Sequence, residues 1–173
     1  MKKQIFGILA LVLSAGCGTA FAATGTATLK GTAAAYEKIS GQAVLTDTPE
    51  GLKISVELQG VSPGKHGFHI HEGDSCGEEG KAAGGHYNPD KAPHGLLSKD
   101  GFSHAHAGDL GNVEIGADGT GKVETVLSGL TLSGGTHNVA DHTFILHEKE
   151  DDFGQPTGNA GGRIACGQIQ LTE

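Results

Sequence analysis

Ten of the 173 residues are histidines, and two of them stand one residue apart where they could hold a metal ion. His69 and His71 lie in a run in which apolar and polar residues alternate, which is typical of a β-strand. Side chains at positions i and i+2 of a strand project from one face, so both imidazoles can reach a single ion. Imidazole binds copper, zinc, iron and nickel alike. An isolated pair of this kind is more often solvated than metal-bound, so it marks a site without identifying the metal.

A second group of candidate ligands follows in the next forty or so positions. Its members are His86, His94, His106 and Asp109, of which the last two are spaced H-x-x-D. Three imidazoles and one carboxylate form a chemically reasonable tetrahedral zinc site that needs no thiolate. His147 stands far along the chain, and it completes the first group only if the fold returns it to His69 and His71.

The first 22 residues have the order of a secretory signal. Lys2 and Lys3 precede an apolar run over 5–15, and small residues then lead to Ala22 in an A-x-A pattern. We therefore predict a removable signal over 1–22 and one domain over 23–173. The alternative is a lipid anchor, because the residues before Cys17 resemble a bacterial lipoprotein box. Ser14 stands where that motif usually has a leucine, which favours cleavage after Ala22.

Export has consequences for the cysteines and the charge. Cys76 and Cys166 are the thiols that remain, and an even pair in an oxidising compartment favours a disulfide over two free buried thiols. Loss of Lys2 and Lys3 takes the formal net charge from −8 to −10. Nucleic acid and anionic membranes are therefore excluded as partners. No later segment has the ~20 consecutive apolar residues of a membrane helix, which excludes insertion.

The rest of the chain predicts β-structure. It has thirty glycines, no tryptophan and recurrent alternation of apolar with polar residues. The eight predicted strands are 24–30, 41–46, 52–58, 67–72, 110–115, 122–127, 142–147 and 164–171. This count indicates a sandwich or barrel. The stretches 73–103 and 149–162 have no strand pattern, and loops of such length on a compact domain are usually functional or disordered.

Five strings in this chain closely resemble the copper/zinc superoxide dismutase family, in its exported bacterial form. They are KHGFHIHEGDSC, AGGHYNP, HAGDLGNV, LHEKEDD and GNAGGRIACG, and they occur in the family's order over essentially all of 23–173. The resemblance implies an all-β fold of about eight strands, a Greek-key sandwich or flattened barrel. It also implies two long functional loops, a metal loop (73–103) and an electrostatic loop (149–162).

The resemblance further implies copper and zinc as cofactors and superoxide as the substrate. Superoxide would be converted to oxygen and hydrogen peroxide by alternate reduction and reoxidation of a copper ion that one histidine bridges to zinc. The implied copper ligands are His69, His71, His86 and His147. The implied zinc ligands are His86, His94, His106 and Asp109, so His86 is the bridge and takes part in catalysis.

Other residues acquire roles from the same resemblance. Asp151 matches a carboxylate that links a copper-ligand histidine to a zinc-ligand histidine, and His66 matches a histidine that hydrogen-bonds near the copper strand. Arg163 matches the arginine that holds the anionic substrate beside copper. Cys76 and Cys166 match the family's internal disulfide.

The chain also departs from the animal members of the family. The segment between His94 and His106 is a few residues longer, and the segment between Asp152 and Arg163 is shorter and lacks their acidic and lysine residues. Lys149 is retained close to His147, so steering of superoxide would depend on fewer charges. Three histidines have no assigned role and are expected to be exposed or structural, namely His104, His137 and His142.

Two rival functions make different predictions. A non-enzymatic copper-delivery or metal-binding relative of the same fold would be expected to lack some copper ligands or the arginine, and this chain lacks neither. A histidine-rich metal buffer would have scattered histidines in place of two sites sharing His86. We therefore expect an enzyme of antioxidant defence outside the cytoplasm, in the periplasm or otherwise exported. The family resemblance also allows a homodimer.

Overall fold

The structure is a computed structural model that describes residues 22–172, and it is built almost wholly from β-strands. The strands are β1 (Thr24–Gly31), β2 (Ser40–Thr48), β3 (Gly51–Gln59), β4 (Gly64–His71), β5 (Asp109–Ile115), β6 (Gly121–Leu127), β7 (Thr143–His147), β8 (Arg163–Gln168) and β9 (Gln170–Thr172). Helix α1 (Leu97–Asp100) and two 3-10 turns, Ala34–Tyr36 and Lys81–Ala83, complete the regular structure of the described part.

The strands form an antiparallel barrel. Their order is β2-β3-β6-β5-β4-β7-β8-β1, and β1 also pairs with β2, which closes the barrel at eight strands. The predicted all-β fold is thereby confirmed. The last predicted strand, 164–171, is divided into β8 and β9 at Ile169. The Ile169 N–H donates to the carbonyl of His142, so this residue leaves the ladder to pair with a loop.

Alternation of side chains explains how the barrel fills its interior. In β2 and β3 every second residue is buried, so that Ala43, Leu45, Ile54 and Val56 face the core while their neighbours face solvent. This period of two is the pattern from which both strands were predicted.

Strands β4 and β7 differ from β2 and β3 because both of their faces are buried. Phe68 and Phe144 face inward, and their rings stack with centroids 5.1 Å apart. The alternate residues of β4, His69 and His71, face outward, yet they are also buried. The metal and electrostatic loops lie over this outer face and form a second, polar layer on the barrel.

The predicted disulfide is confirmed, and the alternative of two free thiols is wrong. Cys76 in the metal loop is bonded to Cys166 in β8. Next to the bridge, Ala83 and Ile145 form a small apolar cluster with Cys166 outside the main core. The disulfide and this cluster fasten the metal loop to the outer face of β7 and β8.

The long loops carry little regular structure, as expected. The longer segment between His94 and His106 contains α1, where the Asp100 carboxylate accepts a hydrogen bond from the N–H of Leu96. The predicted signal segment, including Cys17, lies outside the described residues except for Ala22. Within residues 22–172, no helix is long and apolar enough to cross a membrane.

Candidate metal centre

Four histidines on the outer face of the barrel converge on one point. His69 and His71 come from β4 and His147 from the end of β7, which pairs with β4. His86 comes from the metal loop and reaches the same point through a bridge pairing with His71. One ring nitrogen from each lies within 4.8 Å of the other three, and all four residues are buried.

Hydrogen bonds at the far side of three of the four rings fix which nitrogen faces that point. Nδ1 of His71 donates to the Gly84 carbonyl at 3.0 Å, and Nδ1 of His147 donates to the Gly161 carbonyl at 3.4 Å. Their Nε2 atoms are left facing each other at 3.3 Å. His69 uses Nε2 to contact Asp151 at 2.8 Å, and its buried Nδ1 has no hydrogen-bond partner among the described residues.

A second group of four converges on the opposite side of His86. It consists of His86, His94, His106 and Asp109, again with one ligand atom each within 4.8 Å of the others. The Asp109 carboxylate lies 2.8 Å from Nδ1 of His86, 2.9 Å from Nδ1 of His94 and 3.1 Å from Nδ1 of His106. Although close, Nδ1 of His94 lacks hydrogen-bonding geometry to any group of residues 22–172.

Asp109 is held ionised and in place by its surroundings. It begins β5, and its carboxylate accepts hydrogen bonds from the N–H groups of Gly95 and His106 at 3.0 and 2.9 Å. Burial favours the neutral carboxyl, but the neighbouring imidazoles of His106, His86 and His94 outweigh burial and lower the pKa of Asp109 well below the usual range. A carboxylate that stays charged while fully buried is suited to binding a cation.

Asp151 links the two groups. Its carboxylate contacts Nε2 of His69 at 2.8 Å and Nε2 of His94 at 3.0 Å. Asn112 holds the main chain of Asp151 by two hydrogen bonds, from its own Nδ2 to the carbonyl at 2.9 Å and from the Asp151 N–H to Oδ1 at 2.7 Å. These contacts set the orientation of one ring from each group.

The residues present fit two metal ions. A tetrahedral ion with ligand bonds of about 2.0 to 2.1 Å has its ligand atoms about 3.3 Å apart. The Nε2 atoms of His71 and His147 lie 3.3 Å apart, and the Asp109 carboxylate lies 2.8 to 3.1 Å from three imidazole nitrogens of the second group. Burial lowers the pKa of His71 to about 2, of His147 to about 3 and of His86 to about 4. These rings are therefore neutral at pH 7, with lone pairs directed at a common centre.

Arg163 lies beside the first group. It is the first residue of β8 and pairs with His147 across the β7–β8 ladder. Its guanidinium donates to the carbonyls of Gly80 at 2.5 Å and Gly84 at 2.6 Å. The Gly84 carbonyl thus accepts from both Arg163 and His71, which couples the positions of the cation and the ring. Gly84 has φ 72°, a conformation that favours glycine.

His66 contacts the first group from behind. Its Nδ1 donates to the main-chain carbonyl of His147 at 2.8 Å, and its Nε2 lies 2.9 Å from the carbonyl of Ser62. The imidazole therefore connects the loop before β4 to the end of β7, and it reaches the cluster through the backbone of His147.

The three unassigned histidines lie outside both groups. His104 is exposed. His137 contacts the Asp90 carboxylate at 2.5 Å and stacks on Phe102. His142 packs on Tyr87 with ring centroids 4.2 Å apart. None of the three is among the convergent groups of the described residues, which agrees with the expectation of exposed or structural roles.

Sequence reasoning missed three residues that hold the site from outside. Asn112 and Gln155 hydrogen-bond the main chains of Asp151 and His94. Gly158 is a close neighbour of the Asp151 carboxylate and of His94 Nε2, so a Cβ there would collide with both. A single asparagine, glutamine or glycine in a loop has no spacing signal, because its partner is distant in the sequence.

Comparison with known proteins gives consistent results. The family described as copper/zinc superoxide dismutase matches residues 39–169. An extracellular superoxide dismutase (Cu-Zn) from Caenorhabditis elegans is 42% identical over 129 residues, which cover 70% of this chain and 57% of that protein. The chain thus spans little more than half the length of this relative. The crystal structure of the clock protein EA4 is similar with a TM-score of 0.78 and 32% identity, over 90% of this chain and 98% of that one.

Proposed function

We propose, because the chain belongs to the copper/zinc superoxide dismutase family, that it converts two superoxide ions and two protons to dioxygen and hydrogen peroxide. The observation that carries this proposal is the pair of buried four-residue groups that share His86. Two groups that share one imidazole would hold two ions close to the same ring, an arrangement that the separate sites of a storage protein do not require.

The donor sets distinguish the two ions. Four imidazoles suit copper, and we assign it to His69, His71, His86 and His147. Three imidazoles with one carboxylate suit zinc, and we assign it to His86, His94, His106 and Asp109. When bound, copper supplies the one-electron oxidation and reduction of superoxide, while zinc supplies a fixed positive charge.

His86 has the central task. To serve both groups at once, its ring would have to give up both nitrogen protons, and two dications held by these groups would make this feasible near neutral pH. Its Nδ1 is directed to the side of Asp109 and His106. We assign to the opposite nitrogen, Nε2, the uptake of a proton in one half-cycle and its delivery to the second superoxide in the other.

Arg163 would bind the substrate. Two of its five N–H donors are used by Gly80 and Gly84, so the guanidinium is fixed in orientation and keeps donors for a small anion. Its charge is felt at His71 and His147, where it contributes to lowering both pKa values. A fixed cation next to the copper ligands both attracts superoxide and aligns it.

The shared ring gives the test of this assignment. Replacement of His86 by Ala should reduce the content of both metals and abolish dismutation, because the ring serves both sites. Replacement of His147 by Ala is the matched control and should mainly reduce copper. Metal analysis by mass spectrometry of both purified variants gives the result. Full copper, full zinc and an unchanged rate in the His86→Ala protein would show the assignment to be wrong.

A copper-delivery protein of the same fold is the rival function. Such a protein would bind copper at the same histidines and consume no superoxide. Arg163 argues against it, because delivery of a metal has no need of a fixed anion-binding cation beside the ligands. A dismutation assay on fully loaded protein separates the two functions.

We further propose that the chain works outside the cytoplasm, in the periplasm or an equivalent compartment, after cleavage behind Ala22. The disulfide supports export, and the C. elegans relative is described as extracellular. N-terminal sequencing of the secreted protein tests the cleavage, and a lipidated Cys17 at the new terminus would contradict it. The homodimer stays a prediction from the resemblance, which analytical ultracentrifugation tests.

A further inference from the structure

One side chain, Gln155, holds the main chain of His94 at both of its polar atoms. The His94 N–H donates to Oε1 of Gln155 at 3.0 Å, and Nε2 of Gln155 donates to the His94 carbonyl at 2.8 Å. Within residues 22–172, no backbone group and no second side chain makes a hydrogen bond to these two atoms. The position of the His94 backbone therefore depends on a residue that is 61 positions away in the sequence.

This dependence sets His94 apart from the other residues of the two groups. His69, His71, His147 and Asp109 belong to strands, whose ladders fix their backbones. His86 pairs with β4 through its bridge to His71. His106 lies in a loop, but its N–H donates to the Asp109 carboxylate and its carbonyl accepts from the Asp109 N–H, so the group itself holds it.

The electrostatic loop contacts His94 at both ends. Asp151, at the start of this loop, accepts a hydrogen bond from Nε2 of the ring. Gln155, four positions later, pairs with the backbone. Asp151 thus fixes the far side of the His94 ring, and Gln155 fixes the His94 backbone. With both held, Nδ1 of His94 is directed toward the Asp109 carboxylate, which lies 2.9 Å away.

We propose that Gln155 is a positioning residue of the zinc site, and that its carboxamide aims Nδ1 of His94 at the ion. The inference rests on the proposed zinc assignment of His94. Side chains that orient a metal ligand without contacting the metal typically change metal affinity by about 10- to 100-fold when removed. Gln155 is exposed, so its replacement leaves no cavity in the core.

The metal loop itself offers a matched control. Asn88 makes the same two-bond contact with the main chain of Ala92, with Nδ2 to the carbonyl at 3.0 Å and Oδ1 to the N–H at 3.0 Å. Ala92 is no ligand. Loss of this contact removes two equivalent hydrogen bonds from the same loop without releasing a ligand backbone.

The experiment compares wild-type protein, Gln155→Ala and Asn88→Ala, each loaded with zinc and copper. Zinc release to a chromophoric chelator should be about 10- to 100-fold faster in Gln155→Ala and within about twofold of wild type in Asn88→Ala. The visible spectrum of Co(II) placed in the zinc site reports ligand geometry directly, and it should change in Gln155→Ala alone. Thermal melting of the metal-free proteins should show no greater loss for Gln155→Ala than for Asn88→Ala.

Two results would overturn the inference. Zinc release and a Co(II) spectrum like those of wild type in Gln155→Ala would mean that the carboxamide does not position the ligand. Equal acceleration in both variants would mean that the loop as a whole, and not the backbone of His94, governs release. If wild-type protein binds copper and zinc and dismutes superoxide, either result leaves the proposed function intact. A wild-type protein that takes up no zinc would instead overturn both the inference on Gln155 and the proposed function.

Discussion

At the scale of single residues, hydrogen bonds on the far side of four of the six imidazole rings set the orientation of these rings in the two groups. His71 and His147 donate to carbonyls, while His69 and His94 contact Asp151. Each bond fixes one tautomer and leaves the other nitrogen for a metal. Backbone carbonyls therefore set the ring orientations of His71 and His147, and one carboxylate, that of Asp151, sets the ring orientations of His69 and His94.

The two sites differ in the protons they hold when metal-free. Burial lowers the pKa of His94, but the neighbouring Asp109 and Asp151 carboxylates outweigh burial and raise the pKa to about 9. At pH 7 the ring is therefore protonated, and zinc bound as we propose would have to displace that proton. Zinc binding at pH 7 should release at least one proton per ion, and its affinity should rise with pH until about pH 9. Titration calorimetry in buffers of different ionisation enthalpy measures the release, and none at pH 7 would contradict this account.

The sequence predicts which residues are candidate ligands better than it predicts which groups orient their side chains. The His-x-His spacing at His69 and His71 predicts two rings on one face because strand geometry is local. Gln155 and the Gly84 carbonyl are invisible in the sequence because their contacts are made between loops. Every residue also has a main-chain carbonyl, so neither residue type nor spacing can reveal which carbonyl orients a histidine.

At the scale of the elements, strands β7 and β8 connect the first histidine group and Arg163 to the disulfide. Arg163 and Cys166 lie three positions apart in β8, and the metal loop crosses both of them. Cys76 precedes Gly80 and Gly84, whose carbonyls hold the guanidinium. The disulfide therefore anchors the segment that positions Arg163.

Breaking the disulfide should weaken both the fold and the position of the arginine. Its two cysteines are 90 positions apart. Closing a loop of this length restricts the unfolded chain by roughly 4 to 5 kcal/mol in the chain-entropy model. Urea unfolding of metal-free Cys76→Ser should show a loss of this order, together with a lower dismutation rate per bound copper in the loaded protein. Wild-type protein under reducing conditions is the control, and a loss below about 1 kcal/mol would contradict the prediction.

Strands such as β2 and β3 could be predicted because they follow a local period of two. The division at Ile169 could not, since its backbone turns to His142 in a distant loop. The short helix α1 was likewise absent from the prediction, because four residues are too few to show a helical period. The disulfide was predictable because the predicted removal of residues 1–22 leaves two cysteines, Cys76 and Cys166, to pair.

At the scale of the whole molecule, the proposed function requires an acidic protein to capture an anion. The sequence carries a formal net charge of −8, so superoxide is repelled at long range. The cations near the first group are Arg163, Lys81 beside it and the exposed Lys149 next to Gly161. Glu79 lies in the same cavity as Lys81 and Arg163 and offsets part of their charge.

Replacement of Arg163 by Glu should therefore lower the second-order rate strongly while copper and zinc contents stay unchanged. Salt gives the sharper comparison, because exposed charges are screened over about 10 Å at 0.1 M ionic strength. The wild-type rate should fall as salt rises, since local attraction is screened. The rate of Arg163→Glu should rise or stay level, because repulsion then dominates. An undiminished rate in fully loaded Arg163→Glu would remove the arginine from the mechanism.

The central claim is that copper and zinc, joined through His86, consume superoxide at the two histidine groups. Pulse radiolysis of the mature protein, zinc-loaded and titrated with copper, tests this claim most directly. The rate of superoxide decay should rise in proportion to bound copper and level off at one copper and one zinc per chain. A protein that binds both ions at that ratio and leaves the decay of superoxide at its uncatalysed rate would contradict the claim.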